Sequence, residues 1–192
     1  DWAERTLVDL SADKIRTITL IDADGTVLAL GKPDPDKSDF ALRDLPDGRE
    51  IKSQFELNGL AGALEALTFE DVLPASTVPL PEKAAKAEYT SADGVSVTIT
   101  LIPRDAELWA QITASGSGEE AEKQAKAIQD RVTGWIYRLP DWKRQKMQAK
   151  LDDLLKPKAE IATPEPETKP AEAPLPEGKV EDAEIKSEPL KE

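Results

Sequence analysis

From Val95 to Leu101 apolar and polar residues alternate, with Val95, Val97, Ile99 and Leu101 separated by Ser96, Thr98 and Thr100. A period of two predicts a strand with one face in a core and the other in water. Just before it stands Ala92-Asp93-Gly94. The same tripeptide occurs 69 positions earlier, as Ala23-Asp24-Gly25, between the apolar run Ile15 to Ile21 and a second one holding Leu28 and Leu30. Asp-Gly readily takes the positive φ angles of a tight turn, so both places read as hairpins, with Asp24, Gly25, Asp93 and Gly94 as structural turn residues. Superposing the turns puts Leu20 on Tyr89, Leu28 on Val97, Leu30 on Ile99 and Phe40-Ala41 on Trp109-Ala110 without a gap.

A third strand is expected in each copy, around Asp39 to Arg43 and around Glu107 to Thr113. The period then changes. Phe55, Leu57, Leu60, Ala61, Leu64 and Leu67 recur at helical spacing, as do Ala121, Ala125, Ile128, Val132, Trp135 and Ile136. Asp47 with Glu50 and Ser117 with Glu120 read as capping pairs that start these helices. Pro140 precedes a final helix with Trp142, Met147, Leu151 and Leu154 or Leu155 inward.

These elements define an α+β fold, a tandem repeat of strand-strand-strand-helix units with antiparallel sheets and a C-terminal helix. Repeat one covers about 15–73, repeat two about 85–139 and the final helix 140–155, with Pro74 to Pro81 as an extended linker. Units of this size are individually marginal, so the two are expected to pack on each other.

Composition changes the picture at the C-terminal end. From Lys156 onward there is no aromatic residue, and seven of the chain's 15 prolines fall there. Such a stretch buries too little apolar surface to offset its ordering entropy, so 156–192 reads as a disordered, acidic, Pro-rich tail beside a body of 1–155. The formal net charge is −13. An acidic body repels phosphate backbones, which argues against nucleic acid as a partner. Against this background Lys143, Arg144, Lys146 and Lys150 crowd one segment, a solvated helix face or a basic contact site for anionic lipid or an acidic partner.

The chain has no Cys and no His, which removes disulfides, thiolate catalysis, the commonest general base and most zinc sites. Ser11-Ala12-Asp13-Lys14 has the Ser-x-x-Lys spacing of penicillin-recognising enzymes but lacks their companion motifs, and reads as a turn. Asp34 to Asp39 has the alternating oxygens of a calcium loop. It lacks the glycine at the sixth place, where Asp39 stands, and the glutamate at the twelfth, where Leu45 stands. No catalytic, cofactor or metal residues are therefore expected. Of the four tryptophans, Trp109 and Trp135 fit core packing; Trp2 and Trp142 are less constrained. Trp142, beside the basic segment, is the aromatic to expect exposed for binding.

No apolar run reaches the roughly 20 residues of a membrane-spanning helix. Asp1 in place of Met leads us to expect an upstream segment, such as a signal peptide or anchor.

The phrases "TLVDLSADKIRTITLIDADG", "FELNGLAGALEALTFEDVLPA", "DGVSVTITL" and "GWIYRLPDWKRQKMQAKLDDLL" together resemble the bacterial family of domain of unknown function 4340, across about 1–155 and in the family's order. The resemblance implies a domain on the periplasmic face of the inner membrane, anchored through an N-terminal helix that this chain lacks. It also implies association with ABC-transport systems, with a permease or auxiliary subunit as partner. It carries no catalytic residues over.

The expected function is a non-enzymatic extracytoplasmic accessory domain of such an assembly, with Trp142, Lys143, Arg144, Lys146 and Lys150 as candidate partner contacts. The alternative is a ligand-binding protein holding a glycan or lipid fragment at the repeat junction. Catalysis through carboxylates or through Ser and Lys is the third possibility.

Overall fold

The computed structural model describes residues 5–34, 37–104 and 107–157. The chain is a mixed α+β protein with antiparallel sheets and few helices. Among the described residues the strands are β1 (Thr6–Val8), β2 (Ile15–Ile21), β3 (Val27–Gly31), β4 (Ala41–Leu42), β5 (Leu67–Thr68), β6 (Asp71–Pro74), β7 (Ala85–Ser91), β8 (Val95–Arg104), β9 (Glu107–Gly116) and β10 (Trp135–Arg138). The helices are α1 (Gln54–Gly59), α2 (Glu119–Val132), α3 (Asp141–Met147) and α4 (Leu151–Leu154).

Eight strands form one sheet in the order β4-β3-β2-β7-β8-β9-β10-β6, and β1 pairs with β5 apart from it. The two hairpins of this sheet meet at the antiparallel pair β2 and β7, where Ile18 faces Tyr89 and Leu20 faces Ala87. The two hairpins therefore lie side by side in a continuous sheet. In each, the glycine alone takes a positive φ, 91° at Gly25 and 89° at Gly94. Gly25 N donates to the Asp22 carbonyl and Gly94 N to that of Ser91. Asp24 and Asp93 stay at negative φ, which makes these wider three-residue turns rather than turns with both central residues left-handed. Asp24 Oδ1 accepts from Thr26 N at 2.8 Å, closing the turn from the side chain.

Alternation puts Leu20, Leu28, Val97, Ile99 and Ile112 on one face, under α2, α3 and the 3-10 turn Leu60–Ala63 that follows α1. Thr19, Thr98 and Thr113 share the opposite face, and none of them is buried. At one end that face carries a second small cluster, where Ile102, Trp109 and Ile136 meet Leu73, Ala75 and Val78. Trp109 is thus buried, as its apolar neighbours predict, but on the side of the sheet opposite Phe40, which lies in the main core.

Several boundaries differ from the sequence expectation. The cap of α1 is Ser53, whose Oγ accepts from Glu56 N; Asp47 sits before Gly48 in a separate turn with φ 71°. Leu57, Leu60, Ala61 and Leu64 are buried as expected. Phe55 is not: it lies two positions before Leu57, about 200° around the helix, and is 86% exposed. The helix also ends early, tightening into the 3-10 turn, and Leu67 belongs to β5.

Gly118, not Ser117, precedes α2, and Ser117 N instead donates to the Gly94 carbonyl. Three glutamates in the first turn, Glu119, Glu120 and Glu122, complement the uncapped dipole. The same helix stops at Val132, before Thr133 and left-handed Gly134. Trp135 and Ile136, expected as its last turn, form β10 between β9 and β6. Their β-branched and aromatic character suits a strand, and Trp135 is 44% exposed instead of packed in the core.

The expected linker, Pro74 to Pro81, starts on the last residue of β6, an edge strand paired with β10, and continues into a 3-10 turn at Ala75–Thr77. The last helix is broken: Lys150 is extended, with ψ 156°, and separates α3 from α4. Lys156, assigned to the tail by composition, is tied to the body by Lys156 N to the Glu50 carbonyl and by its Nζ to Glu50 Oε2 at 2.8 Å. Residues 158–192, Trp2 and part of the calcium-like segment lie outside the described residues. Ser11 and Lys14 form a turn closed by Lys14 N to the Ser11 carbonyl.

Candidate functional site

Helix α3 decides where the basic segment points. Lys143 and Met147 are four residues apart, share one helical face and are both buried, each 2% exposed. Trp142 and Lys146 have the same spacing on the neighbouring face. Trp142 is 57% exposed, and Lys146 Nζ lies 5.8 Å from the centre of its ring.

The Lys143 ammonium donates to the carbonyls of Gly62 at 2.9 Å and of Glu65, at the end of the 3-10 turn. It also lies 4.6 Å from the Trp142 ring centre. Burial lowers its pKa from the ordinary lysine value and the Lys146 charge adds to this, while the Glu65 and Asp9 carboxylates oppose it. Lys143 is therefore corrected from a surface contact to an internal tie between α3 and the turn.

The other two cations are engaged elsewhere. Arg144 pairs with Asp141 at 2.5 Å on its own helix. Lys150 turns away to the first hairpin, where Nζ meets Asp22 Oδ2 at 2.9 Å. Of the five residues singled out from the sequence, Trp142 and Lys146 alone share a surface.

That surface is a groove of about 810 Å³ between α1 and the α3–α4 segment. Phe55 and Trp142 line it together with Leu60, Ala149, Lys52 and Lys146. Phe55 is the residue that sequence reasoning misplaced. The signal was available, because Leu57, Leu60, Ala61 and Leu64 make a complete stripe by themselves and Phe55 falls outside it. Lys52 carried no signal. It reaches the groove because Lys52 N donates to the Leu154 carbonyl at 2.7 Å, joining two segments about a hundred positions apart.

Asp22 and Asp24 of the first turn border two further depressions, of about 540 and 390 Å³. Both carboxylates there are held below the ordinary aspartate value: Asp22 by its hydrogen bond from Lys150, Asp24 by that from Thr26 N. Asp93 in the second turn pairs with Lys14 at 3.6 Å. Among the described residues no three carboxylates converge as a metal site would require.

The fold and groove define a class, an α+β protein with an antiparallel sheet and an exposed aromatic groove on its helical layer. No family model matches the chain, and no curated protein or solved structure is similar to it.

Proposed function

We propose that the body is a non-enzymatic interaction domain that docks a partner in the groove between α1 and α3. The observation that carries this reading is the pair Phe55 and Trp142, 86% and 57% exposed on the same groove. Large aromatics are the usual anchors of protein interfaces. The resemblance to domain of unknown function 4340 supports placing the domain outside the cytoplasm, anchored at a bacterial membrane, with an ABC permease or auxiliary subunit as the partner.

We also read the body as two copies of one unit. Both β2-β3-β4-α1 and β7-β8-β9-α2 run strand, strand, strand, helix, each around an Ala-Asp-Gly turn. A glycan or lipid fragment between the copies is the weaker reading, because Ile18, Leu20, Ala87 and Tyr89 fill the core side of their junction.

The test is a photocrosslinker at position 55 in the complete gene product, irradiated in its native membranes. A crosslinked membrane protein, lost when Trp142→Ser is added, is the expected result. Crosslinks that do not depend on Trp142, or none at all, would remove the groove from the reading.

A further inference from the structure

The core side of the junction between β2 and β7 is filled, but its solvent side opens into the depression of about 540 Å³. The floor is one rung of the sheet, Ile21, Lys86, Thr100 and Gln111, paired in that order across β2, β7, β8 and β9. Alternation turns all four away from the core that Leu20, Ala87 and Ile99 share. The walls are the first hairpin turn, Asp22 to Gly25, and the segment Leu80 to Ala84 that leads into β7. Such a volume falls in the range of small-ligand sites, about 300–1,000 Å³.

The lining carries no excess charge with which to select an ion. Asp22 is matched by Lys150 at 2.9 Å, which leaves Asp24 and Glu82 against Lys83 and Lys86. It does offer hydrogen bonds of both senses: carboxylates accept, ammonium groups donate, and the Thr100 hydroxyl and Gln111 amide do both. Two of the acceptors are held in place, since Asp22 Oδ1 accepts from Ala23 N at 2.7 Å and Asp24 Oδ1 from Thr26 N at 2.8 Å. Leu80, 55% exposed, adds apolar surface beside Pro81. A sugar has the matching groups, hydroxyls that each donate and accept on a ring with apolar C–H faces.

The sheet continues this chemistry beyond the depression. The next rung, about 7 Å along the strands, holds Thr19, Thr98 and Thr113 around Glu88. The one after it is hydroxyl throughout, with Thr17, Thr90, Ser96 and Ser115. In a chain with 33% charged residues, Lys86 and Glu88 are the only charges on these three rungs. Strand preference accounts for threonine on such a face, but not for a concavity at the end of it.

We infer that this face binds a neutral glycan, with one end of the sugar chain in the depression and its continuation over the hydroxyl rungs. The site lies on the side of the sheet away from the helices and does not rest on the docking groove.

The probes are cellohexaose, maltohexaose and N-acetylchitohexaose, their disaccharides, and hexagalacturonate as the charged counterpart, each titrated into the full chain. Binding is read from the methyl resonances of Thr98 and Thr100. At least one neutral hexasaccharide should move them saturably, and at lower concentration than its disaccharide does. The double substitution Thr100→Val and Gln111→Ala takes hydrogen-bonding groups from the floor while keeping a β-branched residue in β8. It should weaken binding about tenfold or more, read then from Thr98. Ser96→Lys, on the far rung, should weaken the hexasaccharide and not the disaccharide. Trp142→Ser should change neither, which separates this site from the groove.

Failure of all three neutral hexasaccharides to move the methyl resonances overturns the inference. So does hexagalacturonate binding as tightly as they do, or binding that the floor substitutions leave unchanged. Titration of the unaltered chain decides the matter even where a variant fails to fold.

Discussion

Lys143 Nζ donates a 2.9 Å hydrogen bond to the Gly62 carbonyl, so the most buried charge among the described residues ties α3 to the turn after α1. Removing it leaves the Gly62 and Glu65 carbonyls without that donor. Lys143→Met keeps most of the packing volume and loses the ammonium, and it should lower the unfolding free energy by about 1–3 kcal/mol. Urea unfolding of the two proteins measures this. An unchanged midpoint would mean that water replaces the ammonium at no cost.

The Asp22–Lys150 pair links the first hairpin to the segment between α3 and α4, and it predicts a specific acid response. The hydrogen bond from Lys150 holds the folded Asp22 below the ordinary value of 3.8. Its contribution to stability is complete above that value and is lost as pH falls through the folded one. Lys150 is raised from 10.5 by the same bond, so its share is lost only as pH rises through its folded value. Asp22→Asn should therefore flatten the stability profile below about pH 4. Thermal melts across that range compare the two slopes.

The two hairpin glycines separate conformational strain from crowding. Gly25 and Gly94 have nearly the same φ, but space is open around Gly25, whereas a Cβ on Gly94 would lie 2.7 Å from the Ser117 carbonyl oxygen. Gly25→Ala should cost about 1–2 kcal/mol from the left-handed backbone alone. Gly94→Ala should cost about 1–3 kcal/mol more, because the Ser117 backbone before α2 must move. Equal unfolding midpoints for the two variants would contradict this.

Edge strand β6 is closed to further pairing. Ala75 N donates across to the Gly134 carbonyl, and antiparallel alternation then points Val72 and Pro74 outward. Val72 N is occupied by Asp71 Oδ1 at 2.8 Å, and proline has no N–H to offer. The double variant Asp71→Ala, Pro74→Thr should therefore self-associate as concentration rises. Light scattering would detect it, with the unaltered chain as reference.

Much of the sheet was legible because a strand's period is short and local. Val95 to Leu101 needed nothing beyond its own alternation, and the two Ala-Asp-Gly turns needed only a glycine free to take positive φ. The stripe Leu57, Leu60, Ala61 and Leu64 likewise named its buried face from spacing alone.

What tertiary structure decided is how segments distant in the chain meet. A four-residue strand such as β10 is about one helical turn long, too short to show a period of its own, so Trp135 and Ile136 continued the α2 stripe on paper. The free edge of β9 and the partner β6 made them a strand. A charge run has no period that tells an inward lysine from an outward one. The Gly62 and Glu65 carbonyls drew Lys143 in, and Asp22 drew Lys150 away. The groove itself exists only because α1 and α3, about 90 residues apart, are set side by side. The sequence determined which faces could be buried; the long-range partners determined which of the remaining residues stand together in water, because hydrogen bonds and ion pairs to distant backbone leave no mark in local spacing.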